Sequence, residues 1–319
     1  MVWNRISEQN ASKSSPAPAW QIPQVYEGGF MQVVRINGGL GNQMFQYAFG
    51  EYLKIINQDD VYCDLTDYDH HKHHQGFELE NVFSGVDVRR LSDQELNKIR
   101  VNRDALVPKA VSKLFRVQLR KPAEFCEYPA SLVVQRSKSG AVIYYDGYWG
   151  RKEYIQTAAD AIRKAFVFRY EPEGKNRELL ELIRSRGNTV SVHIRRGDYL
   201  QHENLVSVCD REYYRKAIQF FLDRDPETTF VFFSDDIPWV KEQFSSAIKN
   251  AVYVDWNTGT DSCRDMQMMS LCKNNIIANS TFSWWAAWLN ENPEKQIVSP
   301  KMWSSSSKTG NYFENWYLI

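Results

Sequence analysis

The sequence predicts an α/β protein built on doubly wound parallel sheets, and two observations carry the prediction. In the second half, strand-like and helix-like segments alternate five times between residues 176 and 299, the order that yields a parallel sheet with helices on both faces. In the first half, a buried strand runs into a glycine-rich turn and then a long helix, a less regular version of the same unit.

Ordered structure is expected from Gln32. QVVRI reads as a buried strand, and GGLGNQ (Gly38 to Gln43) as the turn after it. A helix to about Ile56 follows, because Met44, Phe45, Ala48, Phe49, Tyr52, Leu53 and Ile56 recur at helical spacing. VYCD, ending at Asp64, is the second strand. Residues 65–140 are irregular: a histidine-rich loop (DHHKHHQG, with His70, His71, His73 and His74), a helix opened by the capping box Ser92-x-x-Glu95, and a basic stretch around Arg116 to Lys121. AVIYYD at 141–146 returns to strand character, and GYWGRKEYI leads into a helix through about Ala165. The second half then reads as helix 176–185, strand TVSVHIR, helix 211–222, strand TFVFF, helix 237–248, strand AVYV, helix 262–273, strand NIIA, helix Thr281 to Leu289 and strand QIVS. No repeat recurs at a fixed period.

Composition narrows the function without naming it. The chain has 319 residues, with 39 Lys+Arg against 39 Asp+Glu, so no nucleic-acid partner is expected of the surface as a whole. Ten Trp, 17 Tyr and 17 Phe make it rich in rings that suit sugars and bases, although most such rings are core. Five cysteines form no CxxC pair, no apolar run approaches the roughly 20 residues of a membrane span, and the start lacks an apolar signal core. A cytoplasmic location is the expectation, with residues 1–30 a disordered leader or extension. The oligomeric state is not readable.

In open α/β sheets the ligand sits beyond the carboxyl ends of the strands. Five such ends carry polar or glycine clusters: Gly38–Gln43, Arg195-Arg196-Gly197-Asp198, Ser234-Asp235-Asp236, Asp255-Trp256-Asn257, and Asn279-Ser280-Thr281-Phe282-Ser283. Singly these are turn and cap residues. Together, arginines, a hydroxyl-rich helix start and a glycine loop with free N–H groups suit a pyrophosphate. Asp235 and Asp236 are candidate acceptors for ribose or guanine, which makes a sugar nucleotide the expected ligand.

Five segments then resemble one family in its own order. They are RINGGLGNQMFQYAFG (Arg35 to Gly50), DGYWG (Asp146 to Gly150), HIRRGDY (His193 to Tyr199), FFSDD (Phe232 to Asp236) and ANSTFSWWAAWL (Ala278 to Leu289). They are similar to the signatures of the inverting fucosyltransferases of glycosyltransferase family 11, with Gly150 where the family usually has Gln. The resemblance implies a GT-B-like fold: an acceptor-side Rossmann-like domain at 31–170, a GDP-fucose-binding one at 171–319, and the active site in the cleft between them. It implies transfer of L-fucose from GDP-L-fucose to a galactoside hydroxyl, with no cofactor and no required metal. The acceptor it implies is a galactose-containing oligosaccharide or glycolipid, with peripheral membrane contact through a lipid-linked acceptor. It implies Arg195 as the main β-phosphate contact. Asp198, the nearest carboxylate in that motif, is a candidate base with a loop-holding role slightly favoured, and Asn42, by looser analogy with protein O-fucosyltransferases and α-1,6-fucosyltransferases, is the third catalytic candidate. The donor set is Gly39, Gly41, His193, Arg195, Asp235, Asp236, Asn279, Ser280, Thr281 and Ser283. Tyr148 and Trp149 are acceptor candidates, with core an equal reading for Trp149.

Three other readings compete. Gly39-x-Gly41 begins a dinucleotide fingerprint, but Met44 stands at its last glycine, which weakens a nicotinamide-dependent oxidoreductase. Arg196-Gly197-Asp198 spells an adhesion tripeptide, yet it abuts a buried strand. A non-catalytic glycan-binding protein suits the aromatic content, and GDP-induced stabilisation separates it from a transferase.

Overall fold

The structure, a computed structural model, describes residues 31–70, 75–103, 105–115, 117–121, 123–127, 142–307 and 311–319. The expected leader and the histidine cluster as a group lie outside the described residues.

The first half builds β1 (Met31–Arg35), α1 (Leu40–Asn57), β2 (Val61–Asp64), α2 (Thr66–His70), α3 (Leu79–Val82), α4 (Asp93–Ile99), α5 (Leu106–Phe115), β3 (Glu124–Cys126), β4 (Val142–Asp146), α6 (Lys152–Thr157) and α7 (Ala159–Ala165). The second half builds α8 (Lys175–Ser185), β5 (Thr189–Ile194), α9 (Glu203–Val206), α10 (Arg211–Leu222), β6 (Thr229–Ser234), α11 (Ile237–Phe244), β7 (Ala251–Val254), α12 (Cys263–Leu271), β8 (Asn274–Ile276), α13 (Thr281–Leu289), β9 (Ile297–Ser299) and β10 (Tyr317–Leu318).

Both sheets are parallel. The first runs β2-β1-β4-β3 and the second β10-β9-β8-β5-β6-β7. Strand order therefore reverses between β1 and β4 in one sheet and between β5 and β8 in the other. Such reversals leave a crevice at the carboxyl edge, because the connections on either side depart in opposite directions. The glycine loop and the Tyr148–Trp149 turn flank the first reversal. The two arginines and the Ser280 turn flank the second. The fold is the expected pair of Rossmann-like halves.

Every residue of β5 is buried, as befits a central parallel strand covered on both faces. α13 is buried nearly all round, with Trp284, Trp285 and Trp288 in the core. It packs on α1 through Phe45, whose ring centroid lies 4.8 Å from Trp284 and 4.9 Å from Trp285. One apolar cluster thus runs from Met44 and Phe45 through Trp285 to Met266 and Ile297, joining the two halves.

Some expectations shift. The helix expected through Ala165 divides at Ala158, whose non-helical backbone closes α6 and opens α7. α11 ends at Phe244 rather than near 248. The three-residue β3 and two-residue β10 are too short to show a period, and α5 formed just before the expected basic stretch, within the irregular residues 65–140. The capping box stands: Ser92 Oγ accepts from the Glu95 N–H, and Glu95 Oε2 accepts from the Ser92 N–H.

Candidate active site

The glycine loop is held from several sides. Gly38 has φ +76°, a left-handed conformation that a side chain would strain, and Gly39 caps α1 with extended backbone. Two buried glutamines of α1 fix its course. Gln43 donates to the Gly38 and Gly76 carbonyls and accepts from the Glu78 N–H. Gln46 accepts from the Asn37 N–H and donates to Asn37 Oδ1 and the Gly147 carbonyl, tying the β1 loop to the β4 turn. Tyr68 adds a 2.8 Å hydrogen bond to the Gly38 carbonyl. The long-range braces, from Gln43 to Gly76 and Glu78, Gln46 to Gly147 and Tyr68 to Gly38, were missed in the sequence because their partners lie 30 to 101 residues away. Asn42, in the first turn of α1, is only partly buried.

Around Arg195, adjacent strands cooperate. Its guanidinium bridges Asp198 Oδ1 at 2.7 Å and Asp235 Oδ2 at 3.0 Å. Asp235 Oδ1 also accepts from the Arg196 N–H, and a methyl on Gly197 would strike the Asp235 carboxylate. Arg196 pairs with Asp236 and lies 3.8 Å above the Trp239 ring, while Asp236 caps α11. The two aspartates expected at ribose or guanine thus aim their carboxylates at the two arginines. β5 and β6 pair in register here (Ile194 opposite Ser234), so the loops that follow meet directly.

At the second reversal, Asn279 donates to the Leu205 and Trp303 carbonyls and Ser283 Oγ accepts from the Ala278 N–H. Both side chains hold the turn itself. Tyr199, beside Arg195, donates to the Asn279 carbonyl at 2.9 Å, and burial raises its phenol to about 12, so it stays a donor. His193 is buried, its Nδ1 has no partner, and burial with Arg195 nearby lowers its pKa to about 3. The ring is neutral, and its centroid lies 5.7 Å from that of the Phe282 ring. The two helix starts also meet: a methyl on Gly41 would lie 2.7 Å from the Phe282 N–H nitrogen. Two positive helix ends and an oriented arginine therefore share one locale.

On the β4 side, Glu127 accepts from the Tyr148 and Trp149 N–H groups, and Trp149 adopts φ +54°, which costs backbone strain. Trp149 is only 3% exposed and stacks on Phe49 at 4.3 Å and on Phe125 at 5.7 Å. It is core, and the acceptor expectation at this turn passes to Tyr148, 51% exposed. Nearby, a polar cavity of about 140 Å³ opens at the carboxyl ends of β1, β2 and β4. Arg35 bridges Asp67 and Asp146, Arg103 bridges Asp146 and Glu124, and Arg100 bridges Asp64 and Thr66. Burial pushes the Asp146 carboxyl up, but Arg103 and Arg35 outweigh it and hold it below its usual range. Glu78, against the start of α1, goes the other way: burial raises it to about 7, partly offset by the Leu40 N–H.

Among the described residues no three His, Cys, Asp or Glu side chains are grouped to hold a metal, and no helix is long and apolar enough to cross a membrane.

The family model described as "Glycosyl transferase family 11" matches residues 124–319. The chain is 33% identical over 310 residues to the O-antigen biosynthesis glycosyltransferase WbnK of Escherichia coli, covering 88% of this chain and 98% of that one. It is 31% identical over 297 residues to an alpha-1,2-colitosyltransferase of Escherichia coli, covering 90% and 98%. Among solved structures, fucosyltransferase NodZ from Bradyrhizobium superposes with a TM-score of 0.49 at 13% identity, covering 81% of this chain and 92% of that one.

Proposed function

The chain belongs to glycosyltransferase family 11, and from that membership we propose that it moves L-fucose from GDP-L-fucose to O2 of a galactoside, with inversion at the anomeric carbon. The observation that carries this reading is the meeting of the α1 and α13 N-termini near an arginine held between two carboxylates. The glycine loop belongs to the acceptor-side unit, 31–170, and Arg195 to the donor-side unit, 171–319.

The acceptor hydroxyl attacks C1 of fucose as the C1–O bond to the β-phosphate breaks. The sugar becomes oxocarbenium-like and the diphosphate gains charge. Arg195 and the two helix starts bind that charge more tightly than the ground state, which lowers the barrier. Asp198 and Asp235 are positioning residues, because each anchors the Arg195 guanidinium. The leaving phosphate oxygen takes the acceptor proton as charge builds on it, with Asn42 orienting the groups beside it. Gly39, Gly41, Ser280 and Thr281 bring backbone N–H groups or a hydroxyl toward the diphosphate. His193 Nδ1 offers an unused acceptor nearby. Tyr148 supplies the ring for the acceptor galactoside. This reading requires no divalent ion, so EDTA should leave turnover intact, and loss restored only by a divalent ion would contradict that part.

The test is product linkage analysis by NMR, with GDP-L-fucose and GDP-colitose offered in parallel against a panel of galactosides. An α-1,2-linked fucoside is expected. Exclusive use of the 3-deoxy sugar would reassign the donor, and glycan binding with neither product nor GDP-dependent stabilisation would leave a glycan-binding protein.

A further inference from the structure

α5 (Leu106–Phe115) leaves its apolar half uncovered. At about 100° per residue, Leu106, Val107, Ala110, Val111, Leu114 and Phe115 fall on one half of its circumference. Pro108, Lys109, Ser112 and Lys113 fall on the other. A helix packed on a core buries its apolar half, yet no residue of this helix is buried. Its polar half is exposed as well, at Lys109, Ser112 and Lys113, which with Arg103, Gln118 and Leu119 line a cavity of about 390 Å³. The apolar half points outward: Leu106 is 87% exposed, Val107 68%, Leu114 75% and Phe115 70%, and Val117 continues the row.

Charge says what covers this face. Between Asp104 and Glu124 the chain carries Lys109, Lys113, Arg116, Arg120 and Lys121 and no acidic residue, in a protein whose formal charge is zero. We infer that α5 and the segment after it lie flat on an anionic lipid bilayer, with the apolar half among the acyl chains and the lysines and arginines at the headgroups. An apolar arc spread over half a helix fits a planar medium better than a groove. The basic residues complement anionic lipid and would repel a second copy of themselves. Anchorage is firm. Arg103, three residues before the helix, pairs with Asp146 at 2.6 Å, at the end of β4 and two residues before Tyr148. The bilayer contact therefore lies on the edge of the first sheet that carries Tyr148 and the glycine loop. This inference rests on the helix and its charge, independently of which sugar the site transfers.

The full chain is sedimented with phosphatidylcholine vesicles and with vesicles of equimolar phosphatidylcholine and phosphatidylglycerol. Binding to the anionic vesicles alone is expected, weakened by salt at about 0.5 M, where screening is short-ranged. The double variant Leu114→Asp, Phe115→Asp should bind at least about tenfold more weakly with an unchanged melting temperature. Lys113→Glu with Arg120→Glu should weaken binding and reduce its salt dependence. Wild-type protein that ignores anionic vesicles, or an aspartate variant that binds as well as wild type, overturns the inference. So does concentration-dependent self-association of the wild type that the aspartate variant abolishes, since a second copy would then cover the face.

Discussion

A methyl group on Gly41 would sit 2.6 Å from both the carbonyl carbon and Oγ1 of Thr281. The starts of α1 and α13 therefore touch at Gly41, against the Thr281 backbone and hydroxyl, and Trp285 Nε1 seals the contact by donating to the Gly41 carbonyl at 3.0 Å. One residue joins the two halves at the place where their positive helix ends meet.

Gly41→Ala should therefore act on stability and donor binding together. Backbone on both sides must shift, a strain on the order of 1–3 kcal/mol. Thermal melts with and without GDP check this. An unchanged melting temperature would mean that the two helix starts are further apart than 2.6 Å implies.

The carboxylates around Arg195 make a second forecast. Asp235→Ala removes one anchor of Arg195 and the acceptor of the Arg196 N–H, so GDP affinity should fall by roughly 1.5–3 kcal/mol. Asp198→Asn should lower GDP affinity and kcat together, because its oxygen holds the same guanidinium. A loss of about 10²–10⁴ in kcat at unchanged GDP affinity would instead identify Asp198 as the base. Calorimetry and steady-state kinetics on the same preparations separate the two.

Tyr148 and Trp149 should part company under mutation. Tyr148→Ala is expected to raise the acceptor KM with little change in melting temperature, because that ring is half exposed. Trp149→Ala opens a cavity beside Phe49 and should cost about 3–5 kcal/mol of stability. Equal KM effects with no loss of stability in Trp149→Ala would put that ring in the acceptor site.

Glu78 gives a pH signature. Its carboxyl rises from 4.5 to about 7 on folding, so the folded state holds this proton more tightly than the unfolded chain does. The resulting stabilisation is fully present below about pH 4.5 and is lost as pH rises through about 7. His193, lowered to about 3, has the opposite sign, its contribution growing between about pH 3 and 6.5. The wild type must therefore be compared with Glu78→Gln at each pH. The difference in melting temperature should move in favour of the variant from pH 5 to 8, and a flat difference curve would count against the burial of Glu78.

Sequence reading reached the second half well because each segment carries its own signal. Val190, Val192 and Ile194 alternate along one strand, and Asp210 caps α10 through the Tyr213 N–H. It also placed Arg195, Asp235 and Thr281 in one neighbourhood, since strand ends of a parallel sheet share an edge. Contacts between distant loops were not legible. Nothing local says that Asp235 turns toward Arg195 rather than a ligand, that Gln46 reaches Gly147, or that Trp149 is buried under Phe49. The exposed apolar face of α5 was hidden because no helix was expected at Leu106–Phe115, and periodicity alone does not say which way a stripe points.

The central claim is that Arg195 stabilises the departing diphosphate during inverting transfer of fucose. Its most direct test is the turnover of GDP-L-fucose by wild type and Arg195→Lys on a galactoside, with the product anomer read by NMR. The account predicts an α-fucoside from the wild type and a kcat lower by roughly 10²–10³ in the lysine variant, whose point charge cannot span two phosphate oxygens. Near-wild-type turnover by a folded Arg195→Lys protein, or a β-fucoside product, would contradict it.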